Sequence, residues 1–373
     1  MRILIAPDKF KGTLTGAEAA DAMAAGIRRV LPDAEISVQP IADGGEGTLE
    51  AVLAAGGERR ETRVRGPLED AVTAPWALTG TTAVIETARA SGLEFITPTS
   101  EAAGNAHCYG SGELLAAALD AGASEIVLGV GGSAMSDGGS GALRALGARV
   151  LDDDGAELPL GGLALARASS LDLSGLDSRL EGVQLRIAVD VQNPLCGPDG
   201  AAHIFGAQKG ADAPLRNALD AALSRWAQVL LDATGVDVQQ PGAGAAGGFP
   251  AAFLACTRAS LEPGFDLVAG LTGLDRKLAE TDLVFTGEGS LDAQSAFGKA
   301  PLGLAERARN LDLPVLAVAG RITLSDSELS AHGVVGARSL ADTAPSVSAA
   351  MTDAWRYAAD AAETVLKAHL ATR

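Results

Sequence analysis

The chain has 373 residues and a formal net charge of −18, a length that favours two domains over one. Apolar residues make up 47% and aromatic residues only 3%, so small side chains packing helices onto a sheet are expected rather than an aromatic all-β core. The acidic balance, with no basic patch, argues against nucleic acid as a partner, and no run reaches the roughly 20 apolar residues that span a bilayer.

The first apolar run, "RILIAPD" from Arg2, reads as a buried parallel strand, too short for a signal peptide. A cytoplasmic protein is therefore expected, with monomer or homodimer left open. "TGAEAADAMAAGIRRVL" follows as a helix with Thr15 as its N-cap. "EISVQPI" is a second strand, and "ADGGEGTLEAVLAAGG" a loop and helix. Two strand–loop–helix units in succession imply parallel strands with right-handed crossovers. From about Glu61 the pattern alternates polar and apolar residues, as antiparallel strands do. The helical "GSGELLAAALDAG" then leads into "IVLGVGGSAMSDGGSGALRAL", a strand, a bare loop and a helix start. "LRIAVDVQNPL", "AAHIFGAQKG", a helix near Leu215 to Leu231 and the glycine-rich "PGAGAAGGF" come next. Near Leu261 the first style returns, with "TDLVFTGEGSLDAQSAFGKAPLGLAERARN", "LPVLAVAG", "VVGARSL" and a terminal helix. The fold class is thus α/β in two domains. Residues 1–60 plus 261–373 form a doubly wound parallel-sheet domain of Rossmann or flavodoxin-like type, and residues 61–260 an inserted mixed α/β domain.

Ligands collect at strand ends of open α/β sheets, and the loops there share one composition. Carboxylates sit among glycines at Asp43, Glu46, Asp137, Glu288 and Asp292, with isolated lysines at Lys9, Lys11, Lys209 and Lys299. A bare anion site would not want those carboxylates. A magnesium–nucleotide site would, because the metal takes oxygen ligands while lysines balance the remaining phosphate charge. Asp190 directly follows an apolar strand, as a general base or metal ligand would. Asp43 and Asp137 also suit helix capping. Gly129, Gly131 and Ala134 satisfy the loose dinucleotide fingerprint, with Asp152 about 20 residues past the glycines, so an NAD-dependent oxidoreductase is a rival. A non-catalytic nucleotide sensor is another.

Taken in order, "APDKFKG", "ADGGEGT", "GVGGSAMSDGG", "DVQNPLCGPDGAAHIFGAQKG", "GAGAAGG" and "GEGSLDAQSAFGKAPLG" resemble the bacterial class I glycerate kinases, from Arg2 almost to the C-terminus. The resemblance implies ATP- and magnesium-dependent phosphorylation of D-glycerate, to 2-phosphoglycerate more than to 3-phosphoglycerate, on two α/β domains with the site in the cleft between them. Under that reading Gly131, Gly132, Ser133 and Gly138 cradle nucleotide phosphates, and Asp137 and Asp190 face magnesium. Gly244, Glu288 and Asp292 line the nucleotide site. Lys11 and Lys209 hold phosphate oxygens or the glycerate carboxylate, and Asp190 or Asp43 takes the hydroxyl proton. Lys9, Gly44, Gly45, Asn193 and Lys299 contact substrate. Gln192 stands where the family often carries a carboxylate and receives no metal role.

Overall fold

A computed structural model describes residues 1–292, 295 and 300–372. The chain divides into two units. The first comprises Met1–Asp43, Glu50–Gly56 and Pro263–Arg373, and the second Gly44–Leu49 and Gly57–Glu262. The glycine loop after Asp43 therefore belongs to the second unit, although it lies in the N-terminal part of the chain.

In the first unit, strands Glu35–Val38, Arg2–Pro7, Leu283–Gly287, Val315–Ala319 and Val334–Ser339 form one sheet in that spatial order. Every pairing in it is parallel. Leu283–Gly287 is central, Arg2–Pro7 is the interior strand beside it, and both faces of Arg2–Pro7 are covered. Ile3 and Ile5 pack with Phe285, Leu316 and Val318 against the helices Gly16–Val30 and Ala354–Ala371. Leu4 and Ala6 pack with Val284 and Ala317 against Phe265, Leu274, Leu302 and Leu304. Successive side chains point to opposite faces, so a strand apolar at every position needs helices on both sides. Fully burying residues such as Ile3, Leu4 and Ile5 contributes about 1.5–3 kcal/mol each. Thr15 starts the first helix with a capping box shared with Glu18. Gly26 lets that helix approach the C-terminal one closely, since a Cβ there would overlap the Ala359 backbone.

The second unit carries a six-stranded mixed sheet in the order Ser260–Glu262, Gln184–Ala188, Glu125–Gly129, Thr82–Glu86, Ala71–Thr79, Glu58–Arg65. The last two strands are the antiparallel pair expected from the alternation near Glu61. The other four run parallel to one another, which the polar–apolar pattern does not announce. Its core gathers Ile85, Ile126, Leu128, Leu185 and Ile187 with the helices Tyr109–Asp120, Ala213–Thr234 and Ala245–Cys256. The segment "GAGAAGG" is part of this core and not an open loop. Gly244 and the residues after it enter the last of those helices through a kink with positive φ at Ala246, Gly247 and Gly248.

Candidate functional site

In each unit the polar loops follow the carboxyl ends of the parallel strands. In the first unit, Asp8 directly follows the Arg2–Pro7 strand and its N–H donates to the Gly287 carbonyl at 2.8 Å. Asp8 is only 9% exposed. Burial, followed by the neighbouring Asp43, pushes its carboxyl up to about 7, with Glu288 adding to the effect. The Lys9 N–H, donating to Asp8 Oδ1 at 2.6 Å, and the Lys9 charge oppose that rise. Lys9 and Asp43 are half-buried, Lys11 is exposed and Glu288 is buried. The Lys11 backbone runs alongside Gly289, the residue after Glu288. Thus Lys9, Asp43 and Glu288, named from sequence, gather round a carboxylate that the sequence reading passed over, while Lys11 is exposed nearby along the chain. The signal for Asp8 was only its place as the first polar residue after the strand. Asp292 lies farther along, where it accepts from the Ser290 hydroxyl at 3.0 Å. Lys299 lies outside the described residues.

A raised carboxyl pKa has a definite sign in stability. The fold favours protonated Asp8, so its contribution is full below about pH 4 and is lost as the pH rises through about 7. Asp8→Asn is therefore expected to be more stable than the parent at pH 8 without metal, by on the order of 3–4 kcal/mol, with the gap closing below pH 4. Chemical denaturation across that range checks it; a gap independent of pH would refute the burial of a titrating carboxyl here.

In the second unit the "GVGGSAMSDGG" loop has two distinct parts. Gly131 and Gly132 are exposed, while Ser133 through Gly139 are buried. Asp137 is 0% exposed. Its Oδ2 accepts from the Cys108 N–H at 2.9 Å, the Cys108 thiol at 3.2 Å and the Gly141 N–H at 3.2 Å, and its Oδ1 from the Gly139 N–H at 3.3 Å. The helix Ser140–Ala145 thus already holds an anion at its N-terminus, and that anion is the protein's own carboxylate. Burial and Asp137 together push the Cys108 thiol well up, leaving it an inert donor. The Asp137 carboxylate, expected to face magnesium, is buried and accepts hydrogen bonds from within the protein.

Lys209, expected to hold phosphate oxygens or the glycerate carboxylate, is buried as well. It is 1% exposed, and its ammonium donates to the Met135 carbonyl and, at 3.4 Å, to Ser133 Oγ. Desolvation lowers it to about 8 against the pull of Asp137. It braces the loop from inside. Gly138 is internal too: its carbonyl accepts from the Trp226 indole at 2.9 Å, and a Cβ would strike that ring. The carbonyl of Asn193 accepts from Gly242 and Gly244 at 3.2 and 3.0 Å, and the Asn193 amide donates to the Asp199 carbonyl at 2.9 Å. Asn193 and Gly244 are therefore packing and bracing residues.

Of the candidate residues of this unit, Gly131, Gly132 and Asp190 are exposed, Gly45 is half-buried and Gly44 is buried. Asp190 is exposed, two residues past the Gln184–Ala188 strand that neighbours Glu125–Gly129. Gly44 and Gly45 lie over Gly129 and Gly131 so closely that a Cβ at Gly129 would meet the Gly44 carbonyl. A buried glutamate that the sequence reading missed, Glu86, holds that loop: its Oε1 accepts from Gly47 N–H at 3.0 Å and Leu49 N–H at 2.9 Å. Glu86 Oε2 pairs with Arg89 Nε at 2.8 Å.

The dinucleotide rival does not survive this geometry. The Gly129–Ala134 turn opens no helix, the next one starting at Ser140. Asp152 accepts from Asp154 and Ala156 N–H within its own turn. Among the described residues no helix is long and apolar enough to cross a membrane.

Comparison with known proteins gives a consistent result. Residues 3–370 match the family model described as the glycerate kinase family. The chain is 44% identical over 338 residues to glycerate 2-kinase of Escherichia coli (strain K12), covering 90% of this chain and 89% of the relative. It is equally 44% identical to glycerate kinase of Bacillus subtilis (strain 168), over 90% and 88% of the two chains. A crystal structure of a Salmonella typhimurium LT2 protein assigned as glycerate kinase 2 superposes with a TM-score of 0.87 at 40% identity, over 100% of this chain and 99% of that one.

Proposed function

The chain belongs to the glycerate kinase family, and from that premise we propose how its residues carry out ATP-dependent phosphorylation of D-glycerate with release of ADP. The observation that carries this reading is the grouping in the first unit of buried and half-buried carboxylates with two lysines, which suits a metal-bound triphosphate and nothing in dinucleotide redox chemistry.

Lys9 and Lys11 place positive charge where phosphate oxygens would lie, against a chain that is acidic as a whole. Asp8, Asp43 and Glu288 offer only oxygen donors, and burial first, then the charges of Asp43 and Glu288, raise the Asp8 carboxyl. They fit a hard divalent cation and would hold magnesium. Among the described residues no three acidic, histidine or cysteine side chains close into a metal cage. Magnesium, when bound, neutralises charge developing on the transferred phosphoryl group.

In the second unit Gly131 and Gly132 offer backbone N–H groups and Asp190 an exposed carboxylate. We assign Asp190 as the acceptor of the hydroxyl proton of glycerate and Asp43 to the metal. Phosphoryl transfer asks mainly for positioning and charge neutralisation, so the rigid bracing by Lys209, Asp137 and Glu86 is itself part of the device.

The product is proposed to be 2-phosphoglycerate, in line with the name of the Escherichia coli relative. Incubation with ATP, magnesium and D-glycerate followed by phosphorus NMR checks it. A doublet from phosphorus coupled to the single C2 proton is expected. A triplet from the C3 methylene would give the 3-isomer, and no new ester signal would refute kinase activity on glycerate.

A further inference from the structure

Four loops of the first unit, each past the carboxyl end of a strand in the same parallel sheet, line one cavity of about 190 Å³. Lys11 comes from the loop after Arg2–Pro7, Gly289 from that after Leu283–Gly287, Arg321 from that after Val315–Ala319, and Leu340 from the chain directly after Val334–Ser339. That end of an open parallel sheet is where ligands bind. The main chain ties three of these loops together. The Gly320 N–H donates to the Glu288 carbonyl, the Arg321 N–H to the Gly289 carbonyl and the Ala341 N–H to the Gly320 carbonyl, each at 3.1 Å. A Cβ at Gly320 would lie 2.5 Å from the Gly289 carbonyl, so the loops meet as closely as glycine allows.

The walls are apolar, with Phe10, Leu340, Val347 and Met351. Val347 and Met351, on the short helix Val347–Thr352, are 65% and 57% exposed, so apolar surface stays open to water here. The charged residues lining the cavity, among those described, are Lys11 and Arg321, both exposed. No acidic side chain joins them, in a chain of net charge −18. Apolar walls with two cations suit a ligand that has a flat apolar part and an anionic tail. Glycerate has no such part, since each of its three carbons bears oxygen; the base of ATP does. Size agrees. An apolar cavity of about 150 Å³ holds a benzene ring, whereas whole drug-sized ligands take roughly 300–1,000 Å³. The space here fits a ring system and leaves a triphosphate outside.

We propose that this cavity takes the purine base of ATP, with Lys11 and Arg321 set to meet the anionic tail. The inference rests on the phosphoryl-transfer reading above and adds the place of the base.

Val347→Ser combined with Met351→Ser strips apolar wall from two exposed positions and should leave the melting temperature unchanged. Titration calorimetry with magnesium ADP is expected to show about ten-fold weaker binding, while inorganic tripolyphosphate, which has no base, stays within about two-fold of the parent. Equal losses for the two ligands, or an unchanged ADP affinity, would overturn the proposal. Unchanged ADP affinity with a fall from dimer to monomer in light scattering would give the wall to a second copy of the chain instead. If the double variant does not fold, the parent decides by methyl NMR. The chain has four methionines, and the Met351 resonance is assigned by its loss in Met351→Leu. Saturating ADP is expected to shift that resonance through the ring current of the base, and tripolyphosphate is not. No shift, or equal shifts, would overturn the proposal. A parent that responds to ADP as expected but does not turn over D-glycerate would strike the glycerate reading and leave the base site standing.

Discussion

Asp137→Ala is expected to destabilise the protein by on the order of 3–5 kcal/mol, a large share of the stability of an ordinary domain. The substitution removes an anion buried at 0% exposure and strands the N–H groups of Cys108, Gly139 and Gly141 that donate to it. It also removes the one neighbouring charge that supports protonated Lys209 in its buried position. Asp137→Asn is expected to be milder yet still destabilising, because its amide nitrogen would face donors wherever it turned. Equilibrium urea unfolding measures both. The same variants separate cap from metal ligand, since the magnesium concentration that half-saturates turnover should stay at the parent value in Asp137→Asn. A variant with parental stability and weakened magnesium dependence would return Asp137 to the metal.

Asp190→Asn has the largest expected effect on chemistry. If Asp190 takes the hydroxyl proton, the amide cannot replace it, and kcat should fall on the order of 10²-fold or more. The fold should be unaffected, because Asp190 is exposed beyond the end of its strand and outside the buried core. Circular dichroism and melting temperature guard that condition, and KM for ATP should hardly change. Turnover within a few-fold of the parent would remove Asp190 from the role and leave Asp8 and Asp43 as the carboxylates to test next. The pH–rate profile adds a second reading, since a base removed by substitution takes its acidic limb with it.

Much of the architecture was legible along the chain. The three inner strands of the first sheet, Arg2–Pro7, Leu283–Gly287 and Val315–Ala319, are short and almost wholly buried, and the return of such runs at both ends of the chain is a local signal. The antiparallel pair Glu58–Arg65 and Ala71–Thr79 was legible for the same reason. The four parallel strands of the second unit were not. Their runs, such as Glu125–Gly129, are buried on both faces, and a short apolar run does not say which strand it pairs with.

Site residues divide along the same line. That carboxylates and lysines recur among glycines can be read from the letters alone, and it points to phosphoryl transfer. Which of those charges face solvent cannot be read so, because burial depends on partners far away in the chain. Asp137 meets Cys108 across 29 positions, Lys209 meets Met135 across 74, and Glu86 reaches Gly47 across 39. A charged side chain looks the same in the sequence whether it awaits a ligand or already has one within the protein. Local patterning thus carried the fold class of the terminal halves, the family and the type of reaction. Packing at long range set the surroundings of each charge, since only the folded chain sets the desolvation and hydrogen bonding that bury Asp137 and Lys209 and leave Asp190 exposed.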